Sequence, residues 1–430
     1  MDTSGGPSQF SSMPCSTQDR IIIGVDYGTT GTGISVILVE GQTGATRCGF
    51  ITQWLSGANQ AKVPSRIAYA CNNPSFSMPS SCWGFEIHPD MNACSWTKLL
   101  LDHNTELAEF DDEVLRAAVS SGIFDLARGK APVDAITDYL KHVLSFAWGI
   151  IRQDFDVSLD HIPINLQFTV PATWSQESRV LSKQAVTRAW RDKRPQDTIT
   201  FMSEPEAAAE AVYKLHRSEF KVGDGILICD CGGGTVDIAT YLVTDCDQFS
   251  LSRITSVQGI LLTERRRGGK CGGTAIDSRL YGLINKRFPG AFKSLNYLIA
   301  PGSKFMRAFE DVKTVFGEDE RRKTFRLPLN LRRGQRGCTL PYFDPKTKGM
   351  ILSEEDTRNL YNPVISKIIS LINSQIMAAD ENHGSPVINV ASKYNGRRRW
   401  LGTTRSTGRL PSSAKKSSAL WIRISPATAP

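Results

Sequence analysis

The chain has 430 residues, 40% apolar and 22% charged, the composition of a globular protein with room for two or three domains. No apolar run approaches the length of a membrane span, and residues 1–19 lack the basic start and apolar core of a signal peptide. The net charge of +8 points to nucleic acid only until it is located: residues 391–430 hold nine Lys/Arg and no Asp/Glu, leaving 42 basic against 43 acidic residues elsewhere. Neither a membrane nor a nucleic acid is therefore an expected partner. The ten cysteines are scattered without a C-x-x-C pair, which excludes a metal-finger spacing and argues for reduced thiols in the cytoplasm or nucleus.

In chain order, residues 1–19 are Ser/Gly/Pro-containing and read as disordered. Ile21-Ile22-Ile23-Gly24-Val25-Asp26 then leads through Tyr27-Gly28-Thr29-Thr30-Gly31-Thr32-Gly33 into Ile34–Val39, a strand, an aspartate, a glycine/threonine turn and a second strand. Val63–Tyr69 reads as a short strand entered by proline. Helices are expected over 111–128 and 132–153, a strand over Ile164–Val170 ending at Pro171, and a helix over Ser175–Arg191. Ser203-Glu204-Pro205-Glu206 has capping-box spacing before an alanine-rich helix, so Glu204 can be simply a helix-start carboxylate favoured by the dipole.

Gly225–Cys229, Asp230-Cys231-Gly232-Gly233-Gly234-Thr235-Val236-Asp237 and Ile238–Val243 repeat the strand–turn–strand pattern, with Asp230 lying 204 residues after Asp26. Three consecutive glycines let backbone N–H groups close on an anion, and carboxylates beside a phosphate require a cation between them. A repeat at this distance suggests two similar lobes gripping one nucleotide. Neither turn fits the P-loop or the Gly-x-Gly-x-x-Gly turn that opens a helix. Further on come a strand around Ser252–Leu262 and a helix from Gly272 through Phe288 with Thr274 as N-cap. An amphipathic helix over Ser303–Phe316 carries Glu310 and Lys313, an ion pair in its plainest reading. A helix over Ser353–Met377 is interrupted by Pro363, where its continuous part is expected to begin.

Together these segments resemble the ATPase domain of the heat shock protein 70 (DnaK-type) chaperone family, in a divergent, fungal-type branch, from about residue 20 to 378. Val25–Thr30 and Asp230–Asp237 resemble its two phosphate loops, Ser203–Ala209 its connecting segment, and Gly272–Asp277 the stretch opening a second-lobe helix. The resemblance implies an α/β actin-like ATPase fold: two ribonuclease-H-like lobes, each with a mixed five-stranded sheet, around a nucleotide cleft. Lobe I would span 20–222 and lobe II 223–390, the latter incomplete. It further implies ATP or ADP with Mg²⁺ and K⁺ as cofactors, and protein clients or co-chaperones as partners. Asp26 and Asp230 would hold the metal through waters. Gly28, Thr29, Thr30, Gly232, Gly233, Gly234 and Thr235 would hold phosphates. Glu204, Asp237 and Thr235 would act on the attacking water and γ-phosphate, and Glu310 and Lys313 would meet ribose and adenine.

Departures from the family are also expected to matter. His88 stands at the spacing of a lysine near the γ-phosphate, which would reduce positive charge and slow hydrolysis. After Met377 no room is expected for a peptide-binding domain, and Val387–Val390 is expected to begin a strand that gives way to the basic tail 391–430. That tail reads either as a frameshifted or mis-spliced translation or as a disordered basic segment. Three functions follow: a slow chaperone-type ATPase, a nucleotide-sensing scaffold without hydrolysis, or a small-molecule kinase on the same fold.

Overall fold

The computed structural model describes residues 18–102, 126–127, 129–154, 161–190, 194, 196–216, 220–223, 225–245, 250–253, 268–269, 271–292, 295–316, 324–331, 341–383 and 419–424. The expected helix over 111–128 apart from residues 126–127, which are not helical, the strand at Val387–Val390 and all but the first residues of the strand at Ser252–Leu262 lie outside them.

The first half is built on β1 (Arg20–Tyr27), whose alternate residues Ile21, Ile23, Val25 and Tyr27 are buried. It pairs antiparallel with β2 (Gly31–Val39), which pairs with β3 (Thr46–Phe50) and, at its start, with β4 (Val63–Pro64). β5 (Arg66–Tyr69), β6 (Ser81–Trp83) and β7 (Cys94–Ser95) form a small separate sheet. On the other side of β1, β8 (Ile164–Val170) and β9 (Thr198–Ser203) run parallel to it and to each other, so this sheet is mixed, as expected. Helix α1 (Pro132–Asp154) buries Ile136, Leu140, Val143, Leu144 and Ala147 in the core it shares with β1 and β2. α2 (Gln176–Trp190) packs beside it, and α3 (Glu204–His216) follows β9 directly.

In the second half, β10 (Gly225–Cys231) pairs antiparallel with β11 (Val236–Asp245), which pairs with β12 (Ser250–Arg253) and the two-residue β13 (Gly268–Gly269). α4 (Gly273–Arg287), α5 (Lys304–Val315) and α6 (Glu354–His383) pack around a further sheet of β14 (Thr324–Pro328), β15 (Phe343–Asp344) and β16 (Gly349–Ser353). Finally β17 (Ala419–Ile424) pairs antiparallel with β10, opposite Gly225–Asp230. Among the described residues no helix is long and apolar enough to cross a membrane.

Four expectations need correction. The second large sheet is antiparallel throughout its described strands rather than mixed, because the free edge of β10 is taken by β17 from the basic tail. These six tail residues are accordingly strand, not coil. Thr274 is not an N-cap: Gly272 holds that position, where a Cβ would stand 2.5 Å from the Gly232 carbonyl oxygen and clash with it. α6 begins at Glu354 and continues through Pro363, whose exposed position lets water serve the carbonyl that loses its N–H partner.

Candidate functional site

The site forms where the two glycine turns meet. In the first, the Gly28 amide donates to the Gly31 carbonyl at 3.1 Å, and a Cβ on Gly28 would stand 2.6 Å from that oxygen. In the second, the Gly232 amide donates to the Thr235 carbonyl at 3.0 Å. A Cβ on Gly233 would lie 2.7 Å from Thr30 Oγ1 and Cγ2; one on Gly234 would collide with Thr29 Oγ1 and lie 2.6 Å from Leu99 Cδ2. Glycine is thus required by close approach of the two turns. The second turn is braced from behind by the start of α4: the amides of Gly272, Gly273 and Thr274 donate to the carbonyls of Gly234, Gly232 and Gly233 at 3.2, 3.0 and 2.7 Å.

Four carboxylates gather at this contact. Asp26, at the end of β1, accepts from Lys62 Nζ at 2.6 Å and from Thr169 Oγ1 on β8 at 3.3 Å. Asp230 and Asp237 are direct cross-strand partners on β10 and β11. Asp237 Oδ1 accepts from the Ala172 amide at 2.8 Å, a bond between the first half of the chain and the second. Glu204, the first residue of α3, is ion-paired with Lys98 Nζ, both nearly buried at 11% and 5% side-chain exposure. The Lys98 ammonium also stands 5.5 Å from the Trp174 ring and 6.0 Å from that of Tyr27.

The electrostatics follow from crowding. Burial pushes Asp230 up to about 7, with Asp26 and Asp237 adding to it against Lys62 and Lys98. Burial likewise pushes Glu204 up to about 8, opposed by Lys98 and reinforced by Asp237 and Asp26. Asp237 is raised by burial too. For Asp26 burial is outweighed by Lys62, which holds the carboxyl below its ordinary range. Asp230 Oδ1 and Asp237 Oδ2 are buried without a hydrogen-bond partner. Buried carboxylate oxygens left so, in a cluster with more carboxylates than ammonium groups, fit a hydrated divalent cation. Among the described residues no three His, Cys, Asp or Glu side chains are grouped to cage a metal directly, so such an ion would be held through water.

The structure brings Gly28, Thr29, Thr30, Gly232, Gly233, Gly234, Thr235, Asp26, Glu204, Asp230 and Asp237 to this one place. Glu310 and Lys313 form the expected ion pair at 2.5 Å, and Lys313 also reaches Asp277 at 2.8 Å, one helical turn beyond the residues of α4 that brace the second turn. His88 is half-exposed and engages the Asp90 amide and the Phe76 ring. The positive charge among the carboxylates comes instead from Lys62 and Lys98, which sequence reasoning missed. Lys98 had a usable signal, as the one charged residue in the run Trp96–Leu101. Its partner Glu204 lies 106 residues away, and no local pattern predicts that pairing. No family model matches the chain.

Proposed function

We propose that the chain binds Mg-ATP and Mg-ADP between its two glycine turns and hydrolyses ATP slowly, as a chaperone-type ATPase domain of the actin-like fold. The observation that carries this reading is the pairing of two strand–aspartate–turn–strand units, 204 residues apart, whose turns touch at Gly233 and Gly234. Phosphate oxygens would be met by the turn backbone and by the Thr29, Thr30 and Thr235 hydroxyls. Asp26 and Asp230 would hold the hydrated Mg²⁺, which supplies charge neutralisation at the phosphates. Asp237 and Glu204 would orient the attacking water, and Lys98 fixes the Glu204 carboxylate while adding positive charge beside it. Such chemistry is mainly positioning and electrostatics. Glu310 and Lys313, held together with Asp277, would meet the nucleoside. Nucleotide-driven changes would be read by a protein client or co-chaperone. The seven described cysteines are all free thiols, which suits the cytoplasm or nucleus.

A second reading, binding without turnover, draws on the same geometry. Glu204 is engaged by Lys98 and Asp237 by the Ala172 amide, so both candidate water-orienting groups already have partners. Phosphate release from Mg-ATP, without an added acceptor, decides between them. Slow release that is lost in Glu204→Gln, with ADP binding retained, supports the ATPase; binding with no release in the wild type supports the scaffold. ADP formed only on adding a small-molecule acceptor, with the phosphoryl group transferred to that acceptor rather than released, would overturn both in favour of a kinase.

A further inference from the structure

Lys62 reaches the carboxylate cluster along a track that β2 leaves open. The residue immediately precedes β4, whose Val63 and Pro64 pair with Thr32 and Gly31. From there its stem lies across two glycines on the same face of β2. A Cβ on Gly31 would stand 3.3 Å from Lys62 Cβ, and one on Gly33 would stand 3.5 Å from Lys62 Cγ and 3.7 Å from Cε. Gly33 is the cross-strand partner of Asp26, and the stem ends there, with Nζ 2.6 Å from Asp26 Oδ2. Successive residues alternate faces along a strand, so a glycine at each of these two positions keeps one face of β2 bare just where the stem passes.

The pair is open to solvent on one side. Lys62 and Asp26 keep 41% and 44% side-chain exposure, in contrast to the enclosed Lys98–Glu204 pair. An ion pair of this kind is weak enough to exchange, so the ammonium can leave Asp26 without unfolding its surroundings. Lys62 also feels Asp230 and Glu204, so its charge serves three of the four carboxylates. Thr169 on β8 donates to the other Asp26 oxygen, and Lys98 is the second ammonium facing the cluster.

We infer that Lys62 is a tethered monovalent cation: its ammonium neutralises Asp26 in place of a free K⁺ or Na⁺ and moves onto phosphate oxygens when a nucleotide polyphosphate enters. A compact single charge on a four-carbon stem suits this task, and tethering keeps its effective concentration at the millimolar level or above. Polyphosphate binding by this chain is therefore indifferent to the monovalent salt. This inference rests on the nucleotide-binding reading of the site.

The test uses the full chain, Mg-ADP and isothermal calorimetry in KCl or choline chloride at equal ionic strength. Wild type should bind with affinities within about twofold in the two salts, whereas Lys62→Met should bind about tenfold more weakly in choline and recover at least about threefold in KCl. A wild type as salt-sensitive as the variant, or a variant equal to wild type in both salts, overturns the inference. Thermal unfolding without nucleotide gives an independent reading. Lys62→Met should melt lower in choline than in KCl, because Asp26 then lacks a counter-charge, while wild type should melt equally in both. If wild type binds no ADP in KCl, the nucleotide-binding reading fails and the melting comparison alone decides the role of Lys62, equal salt dependence in both proteins refuting it.

Discussion

Lys98→Met removes an ammonium enclosed by Glu204, Trp174 and Tyr27 while keeping most of the apolar stem. Lys98 is 5% exposed and Glu204 11%, so the carboxyl left behind is buried beside Asp237 and Asp26 without its ion-pair partner, Lys62 acting on it only at longer range. Breaking a buried pair from one side costs about 3–5 kcal/mol. Loss of the cation–ring contacts at 5.5 and 6.0 Å adds about 0.5–1 kcal/mol. Glu204→Gln should cost less, about 1–3 kcal/mol, because the amide still accepts from the ammonium. The double variant should then be more stable than Lys98→Met alone, with a coupling energy of about 2 kcal/mol or more. Urea unfolding of the four proteins, with the slope m compared as well as the midpoint, provides the cycle. Costs that add to within about 0.5 kcal/mol would refute the buried pair and with it the assignment of Lys98 to the site.

Gly234→Ala should lower stability by about 1–3 kcal/mol and weaken Mg-ADP binding, since a methyl would push the second turn away from Thr29 and Leu99; a neutral result by calorimetry and urea melt would mean the turns do not touch. Deleting the chain from residue 391 onward strips β17 from β10, and should lower the melting temperature and produce self-association by size exclusion, because an apolar central strand becomes an edge. The pH dependence has a definite sign. Asp230 is raised from 3.8 to about 7 on folding, so its contribution to stability is fully present below pH 3.8 and is lost as pH rises through about 7. The unliganded protein should accordingly be more stable near pH 5 than near pH 8, while affinity for Mg-ADP should rise about tenfold from pH 6 to 8 as the proton leaves Asp230. Asp26, Asp237, Lys62 and Lys98 are the charges that face it, and Asp230→Asn should flatten both profiles.

How much of this was legible depends on the range of the interaction. β1 could be read because Ile21, Ile23 and Val25 alternate with less buried residues, and α1 because its apolar residues recur at helical spacing. Both turns were legible because glycine clusters flanked by β-branched runs have few other uses. α6 was misjudged at Pro363, because sequence alone did not reveal that the proline faces solvent. Thr274 was misplaced because Gly272 is chosen by a contact with Gly232, 40 residues earlier, which local capping preferences ignore. The place of β17 was equally hidden: Ala419–Ile424 carries a short apolar run, yet its partner strand begins at Gly225. Lys62 and Lys98 escaped for the same reason, each being identified by a carboxylate distant in sequence rather than by its neighbours.

Asp26 and Asp230, from two separate halves of the chain, are proposed to serve one Mg-nucleotide. Calorimetric titration of Mg-ADP into the wild type, Asp26→Ala and Asp230→Ala tests this most directly. Micromolar binding by wild type, lost in both variants while each stays folded, is the predicted result. Undiminished binding by either variant, or none by folded wild type, would mean that the two aspartates do not share a nucleotide.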